Sequence, residues 1–123
     1  MEHMDLTEKI IACAYRVFNK MGSGFLESVY EKCLKIELIR NGLIVELQKA
    51  IQVFYDKELV GEFIADIIVN NTVVLELKAV KQLAKAHEVQ LVNYLVATGK
   101  PVGLLINFGE DRVEVKRKLR TLK

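Results

Sequence analysis

The chain has 123 residues, of which 51% are hydrophobic and one is proline, and its formal net charge is +2 at pH 7. This composition excludes a disordered chain and predicts a single globular domain over residues 1–123. No uncharged apolar stretch approaches the roughly 20 residues of a membrane-spanning helix, and no signal-peptide core is evident, so we expect a cytoplasmic protein with no membrane partner. Cys13 and Cys33 lack the neighbouring ligands of a zinc or redox site, and we expect both to be reduced core residues.

Two amphipathic helices are predicted before the first strand. Apolar side chains recur at helical spacing over about residues 6–20, and the segment 22–24, Gly-Ser-Gly, then breaks the pattern. A second helix follows and ends at Asn41-Gly42. Glu27 lies in its first turn, where a carboxylate is favourable to the helix dipole whether or not it has a further role.

Six further elements are predicted in the rest of the chain. They are strands at 46–55, 59–69, 72–78, 102–108 and 112–118, and a helix at 80–98. The order is α-α-β-β-β-α-β-β, an antiparallel meander followed by one helical crossover. This order predicts an α/β fold in which a mixed sheet of about five strands is flanked by helices on both faces.

Three charged residues, Asp66, Glu76 and Lys78, interrupt two strands that are otherwise apolar. Burying them is costly unless they are paired or bind a cation. With a two-residue loop between the strands, Asp66 would lie opposite Leu75, alone among aliphatic side chains. With a three-residue loop or a bulge, it lies opposite Glu76. We expect this second register, because it leaves an opposite face that is wholly apolar, made of Phe63, Ala65, Ile67, Val69, Val73, Leu75 and Leu77.

The second register brings two carboxylates and an ammonium together on one face of the sheet. Carboxylate oxygens are hard ligands that suit Mg²⁺ or Mn²⁺. A structural ion pair between Asp66 and Lys78 is the alternative, and it explains part of the cluster without a metal.

A set of polar residues on the third predicted helix lies near the same end of the sheet. His87, Gln90 and Tyr94 occupy positions i, i+3 and i+7, so they share one face of the helix. Helices that follow a strand commonly line the cleft above its C-terminal end, which here carries Glu76 and Lys78. The alternative is that Tyr94 lies in the core while the other two face solvent.

The C-terminal segment 112–123 contains six basic residues and a single acid, Glu114. A segment of this kind suits phosphate groups, but it is as often a solvated end of the chain. Both interpretations stay open at this point.

The combination of Asp66, the Glu76-Leu77-Lys78 triplet and the Gln90-x-x-x-Tyr94 pair resembles the PD-(D/E)XK nuclease superfamily, in particular its RecB-like branch. Glu27 matches the glutamate of that superfamily's first helix. More narrowly, residues 24–30, Gly-Phe-Leu-Glu-Ser-Val-Tyr, resemble the G-x-x-E-x-x-Y signature of the GxxExxY family. The likeness extends over about residues 6–109 and implies a restriction-endonuclease-like core.

The resemblance implies a role for each matching residue. Asp66 and Glu76 would ligate a divalent metal, Mg²⁺ or Mn²⁺, with the Leu77 carbonyl as a further ligand. Glu27 would complete the metal's ligands or hold a water molecule on it. Lys78 would orient or deprotonate the attacking water and neutralise phosphate charge.

The resemblance implies less direct roles for the remaining residues. Gln90 and Tyr94 would position the scissile backbone or the Lys78 ammonium. His87 is not part of the general motif and is named only as a residue that could line the site. Ile64-Ala65 stands where the superfamily often has a proline before the aspartate, at a position that varies.

Taken together, these observations favour a metal-dependent endo- or exonuclease that hydrolyses phosphodiester bonds, with DNA as the first substrate to consider and RNA as the second. The alternative is a non-catalytic nucleic-acid- or protein-binding module on a nuclease-like scaffold. Because no carboxylate, lysine or glutamine of the motif is missing, we expect an active enzyme. A chain this small has little surface with which to recognise DNA alone, so a homodimer is also considered.

Overall fold

The computed structural model describes residues 3–120. Its elements are α1 Met4–Met21, α2 Glu27–Arg40, β1 Val45–Tyr55, β2 Glu58–Val69, β3 Val73–Lys78, α3 Lys85–Thr98, β4 Val102–Phe108 and β5 Val113–Leu119. The predicted order of elements is confirmed, and the strand boundaries agree to within one residue. Lys123 of the basic C-terminal segment lies outside the described residues.

The third helix begins later than predicted, at Lys85 rather than at residue 80. The buried side chain of Asn107 binds both backbone groups of Val80. Its Oδ1 accepts a hydrogen bond from the Val80 N–H at 3.0 Å, and its Nδ2 donates to the Val80 carbonyl at 2.8 Å. This bonding resembles one more rung of a β-ladder, and it ties residue 80 to the end of β4, so the helix cannot start there.

The five strands form one sheet in the order β1-β2-β3-β4-β5. β3 and β4 are parallel, and every other neighbouring pair is antiparallel. α1 and α2 pack on one face, in a core that includes Ile10, Leu34 and Ile106. α3 packs on the other face, where Leu91 meets Leu105. The mixed sheet with helices on both faces is therefore confirmed, and none of the helices between residues 3 and 120 has the length and hydropathy needed to cross a membrane.

The side chains of β2 change faces within the strand. Ile67 packs in the cluster under α1 and α2, as predicted, whereas Ala65 belongs to the cluster under α3. Phe63 also lies on the α3 side, because its ring centroid is 5.3 Å from that of Tyr94. The prediction that Phe63 and Ala65 share a face with Ile67 is therefore wrong.

The reason lies in the pairing of β2 with β1. Leu47 pairs with Ile67 and Lys49 pairs with Ala65, but Gln48 and Asp66 between them do not pair in the ladder. Gln48 has a φ of 50°, in the left-handed region. An interruption of this kind breaks the alternation of side chains from which the wholly apolar face was predicted.

A charged cluster around Glu37 joins α1 to α2. The Glu37 carboxylate lies 3.3 Å from Arg16, 3.5 Å from Lys20 and 3.6 Å from Arg40. Burial acts to raise the pKa of Glu37, but Arg16 and Lys20 outweigh it and the pKa lies below its usual value. This cluster fixes the orientation of α2, whose N-terminal end reaches the site described below.

Both cysteines are free, as predicted. Cys13 is buried beneath this helix pair, and burial raises the pKa of its thiol. A buried thiol with a raised pKa is poorly reactive, which fits a packing role.

Gly103 of β4 lies where α3 comes closest to the sheet. A Cβ added there would be 2.7 Å from Cδ1 of Leu91 and 3.1 Å from the carbonyl oxygen of Val74. We expect Gly103→Ala to destabilise the protein by about 1–3 kcal/mol, because α3 must shift or Leu91 must leave its rotamer. Urea unfolding measures the change. Gly61→Ala is the matched control, since its Cβ would meet only Val53 at 3.9 Å, and equal stability of the two variants would contradict this account.

Candidate active site

The centre of the candidate site is a pair of carboxylates at the end of the β2–β3 ladder. The loop between these strands covers residues 70–72, and Ile67 pairs with Leu75, so the predicted odd-length loop and its register are confirmed. Beyond this pair the backbone ladder stops, and carboxylate side chains accept the hydrogen bonds of the backbone N–H groups. The N–H of Leu77 donates to Oδ2 of Asp66 at 2.8 Å, and the N–H of Asp66 donates to Oε1 of Glu76 at 3.4 Å.

The two carboxylates lie in a strongly negative and partly dehydrated environment. Glu76 is only 7% exposed, and burial, followed by the charge of Asp66, raises its pKa to about 8. Burial also raises the pKa of Asp66, even though the Leu77 N–H and the Lys78 ammonium oppose the shift. Two like charges held together in this way resist being ionised at once unless a cation joins them.

Lys78 is the last residue of β3 and lies opposite Asn107 of β4. Its charge acts to lower the pKa of both Asp66 and Glu76. None of the ion pairs within residues 3–120 includes Lys78. The Asn107–Val80 bonds hold the chain directly after it, so the backbone of Lys78 is fixed while its ammonium has no acidic partner within 4 Å among those residues.

Glu27 reaches the site from the first turn of α2. Tyr30, three residues later, anchors this turn because its ring stacks on Phe108 at 4.4 Å and its hydroxyl donates to the Gly22 carbonyl at 2.6 Å. Gly24, with a φ of 100°, allows the connecting loop to turn. The Gly, Glu and Tyr positions of the G-x-x-E-x-x-Y segment therefore have distinct physical tasks: turning the loop, presenting a carboxylate and anchoring the turn.

A cleft of about 170 Å³ opens between α2 and the splayed strands. It is lined by Glu27, Ser28, Glu31, Gln48, Asp66 and Leu77. Burial, together with the charges of Asp66 and Glu27, raises the pKa of Glu31, although a hydrogen bond from Gln48 opposes this. The cleft and its rim thus carry four carboxylates, those of Glu27, Glu31, Asp66 and Glu76, against the nearby ammonium groups of Lys78 and Lys32.

α3 contributes Gln90 and Tyr94 on the opposite face of the sheet. Tyr94 is buried, and its hydroxyl accepts a hydrogen bond from Nε2 of Gln90 at 2.7 Å. Burial and the charge of Glu76 raise the pKa of Tyr94. Because the Tyr94 oxygen is the acceptor of the Gln90 bond, its own hydrogen is available for an anionic oxygen.

His87 has a different role from these two. The N–H of Ala84, at the N-terminal end of α3, donates to Nδ1 of His87 at 3.1 Å. The imidazole therefore caps its own helix, and this contact accounts for its orientation.

Three residues near the carboxylates were not selected from the sequence. Gln48 and Glu31 line the cleft and bond to each other at 2.6 Å, and Asn107 holds the chain after Lys78. Glu31 follows Glu27 by one helical turn, which was a usable signal. Nothing in the strand pattern marks Gln48 or Asn107, since both depend on contacts between distant segments.

The residues fit a hard divalent cation that is held by few protein ligands. Within the described residues 3–120, no group of three or more His, Cys, Asp or Glu side chains is arranged to hold a metal ion alone. Mg²⁺ keeps several waters and commonly binds through one or two carboxylates together with substrate phosphates. Asp66 and Glu76 match that donor set, whereas a structural zinc site would need four protein ligands.

Comparisons with known proteins bear on the whole chain. The model of the PD-(D/E)XK nuclease superfamily matches residues 4–118. The crystal structure of SSO0001 superposes with a TM-score of 0.58 and 21% identity, over 79% of this chain and 52% of that one. The chain thus spans about half the length of this solved protein. The likeness shows the fold, and it agrees with the predicted restriction-endonuclease-like core. No significant match was found among curated proteins.

The capping role of His87 can be tested by substitution. His87→Ala leaves the Ala84 N–H without its partner and should lower stability by about 1 kcal/mol. His87→Gln should restore much of the loss, because glutamine at this position of a helix can reach back to the same N–H. Thermal melts compare the two variants, with Gln82→Ala in the adjacent loop as the control. Equal melting temperatures for His87→Ala and the wild type would refute the cap.

Proposed function

The chain belongs to the PD-(D/E)XK nuclease superfamily, and on that premise we propose that it is a divalent-metal-dependent nuclease that hydrolyses phosphodiester bonds in DNA, with RNA as the second substrate to test. One observation carries the proposal. Asp66 and Glu76 interlock with the backbone where two strands separate, and Lys78 follows two residues later on the same strand. This arrangement supplies two metal ligands and a cation within one short stretch of sheet.

Mg²⁺ or Mn²⁺ is the expected cofactor. Asp66 and Glu76 would hold the ion, and the Leu77 carbonyl would be a further ligand. Glu27 would lie at the edge of the metal site. Such an ion supplies a Lewis acid for the phosphoryl oxygens and lowers the pKa of bound water. The surrounding charge supports this assignment, because the four carboxylates outnumber the ammonium groups of Lys78 and Lys32 and would otherwise repel a phosphodiester.

The other residues act on the substrate or on its water. The Lys78 ammonium has no acidic partner within 4 Å among the described residues, so it can orient or deprotonate the attacking water and neutralise phosphate charge. The Tyr94 hydroxyl, held by Gln90 at 2.7 Å, can donate to a phosphate oxygen or help to position the Lys78 ammonium. In this proposal the carboxylates act on the face of the sheet under α2, and Tyr94 and Gln90 act on the face under α3.

Membership of the GxxExxY family and of the RecB-like branch is part of the same proposal. It is supported by the contacts of Gly24, Glu27 and Tyr30, which give the G-x-x-E-x-x-Y segment a physical reason for its spacing. A cytoplasmic location is likewise a prediction.

The decisive experiment is cleavage of labelled nucleic acids by the purified protein. The panel holds single-stranded and double-stranded DNA, branched DNA and RNA, each with Mg²⁺, with Mn²⁺ and with chelator. We expect metal-dependent cleavage by the wild type and none by Asp66→Asn, because the variant loses a ligand. Asp111→Asn, an exposed aspartate in the loop after β4, is the matched control. A wild type inactive on every substrate would overturn the proposal.

Thermal melts separate metal binding from catalysis. An ion at a hundred times its dissociation constant should stabilise the wild type by about 2.7 kcal/mol. Lys78→Ala should keep this stabilisation and lose turnover, because lysine does not ligate the ion. Asp66→Asn should lose the stabilisation, yet without metal it should be as stable as the wild type, since removing one of two close negative charges relieves repulsion. A destabilised Asp66→Asn and a wild type indifferent to metal would instead indicate a structural ion pair.

We also propose that the protein forms a homodimer through the hairpin arm, which we define as residues 49–64 of β1, β2 and their turn. Phe54, Tyr55, Leu59, Val60, Phe63 and Ile64 of the arm are each 41–71% exposed. They are distributed over both faces of the arm, because neighbouring side chains of a strand alternate, and the aromatic rings among them are of the kind enriched in protein interfaces. The arm contains two lysines and three acidic residues, so a net negative charge disfavours nucleic acid there.

The backbone of the arm supports a second copy as the occupant. β3 pairs with β2 only at residues 67–69, so the outer edge of β2 beyond Asp66 has no backbone partner among the described residues. Such an edge can pair antiparallel with its own two-fold copy. Light scattering should give a dimer for the wild type and a monomer for Val60→Glu, with Ile39→Glu on α2 as the control for an exposed apolar residue. A wild type that is monomeric at high concentration would disprove the interface.

A further inference from the structure

Gln48 has an unfavourable backbone conformation in the middle of a strand. Its φ is 50°, whereas the other non-glycine residues with positive φ in the described chain are His3 before α1 and the turn residues Asp56, Lys57, Asn70 and Asn71. A left-handed conformation is disfavoured for any side chain with a Cβ. Residues held in this way cluster at functional sites, where the surrounding structure compensates for the strain.

The strained residue lies directly across from Asp66. The flanking residues pair normally, Leu47 with Ile67 and Lys49 with Ala65, so the interruption is confined to Gln48 and Asp66. It turns the side chain of Gln48 into the cleft instead of along the sheet. The same interruption moves Ala65 to the face under α3, and the Asp66 carboxylate lies between β2 and β3, where it meets Leu77.

The Gln48 amide joins two carboxylates from different elements. Its Nε2 donates to Oε1 of Glu31 on α2 at 2.6 Å. Asp66 of β2 lies across from Gln48 and lines the same cleft, and the Gln48 amide acts to lower the pKa of that carboxyl. A glutamine amide has two donor hydrogens, so one group can serve both acceptors without carrying a charge.

We propose that Gln48 is a positioning residue that holds the Asp66 carboxylate in its ligating orientation and ties it, through Glu31, to α2. This inference rests on the proposed nuclease function and adds to it a residue outside the superfamily motif. Fold stability does not explain a glutamine at this position, because glycine adopts the same φ without strain. The amide is the part of the residue that glycine lacks.

The test compares Gln48→Gly with Asn71→Gly. Gln48→Gly removes the amide and relieves the strain, so its melting temperature should equal or exceed that of the wild type. Its kcat should fall about tenfold to a hundredfold with little change in KM for the nucleic acid, because a misplaced ligand slows the chemical step. Mn²⁺ should also raise its melting temperature less than it does for the wild type. Asn71→Gly makes the same backbone change in the β2–β3 loop, which lies beyond the end of β2 and outside the lining of the cleft, and should keep full activity.

Gln48→Glu supplies a second variant with the shape of the native side chain. It replaces both amide donors with an acceptor facing two carboxylates, so it should lose activity as Gln48→Gly does and should also melt at a lower temperature. The wild-type arm of the assay reports on the nuclease function itself. If the wild type cleaves and Gln48→Gly cleaves equally fast, the positioning role is overturned while the function stands. A Gln48→Gly protein whose melting temperature falls along with its activity would overturn it too, because the role would then be structural.

Discussion

The candidate site depends on one interaction, the exchange of backbone hydrogen bonds for carboxylate hydrogen bonds at the end of the β2–β3 ladder. Asp66 accepts from the Leu77 N–H, and Glu76 accepts from the Asp66 N–H. These bonds satisfy backbone donors that lose their ladder partners where the strands separate. The cleft opens where the strands separate, and carboxylates from both α2 and β2 line it.

Each neighbouring element is tied to this point by a buried contact of its own. Tyr30 fixes the first turn of α2 against Phe108, and Asn107 fixes the chain that leaves β3. Tyr94 brings α3 to the opposite face through its packing on Phe63. The chain therefore holds a lysine ammonium and partly buried carboxylates on a packed frame, as a reaction that depends on positioning and charge requires.

Departures from ordinary folding rules are concentrated around the same carboxylates. A nearly buried glutamate with a pKa of about 8, a glutamine at positive φ and an interrupted ladder lie within a few residues of one another in space. β4, by contrast, is buried along its whole length and pairs without interruption with both of its neighbours. Natural chains keep such departures where function compensates for them, which is a reason to assign the site here independently of the motif.

Periodicity, turn residues and element order were enough to predict the mixed sheet, its flanking helices and the opposition of Asp66 and Glu76, because each depends on local alternation and loop length. The start of α3, the switch of Phe63 and Ala65 to the other face, and the roles of Gln48 and Asn107 could not be predicted in this way. Each depends on a contact between segments far apart in the chain: Asn107 with Val80, and Gln48 with Glu31 and Asp66. The sequence by itself determined the elements and the chemistry available at their ends. The tertiary structure alone decided where regular pairing stops, because that depends on which distant side chain replaces a missing backbone partner.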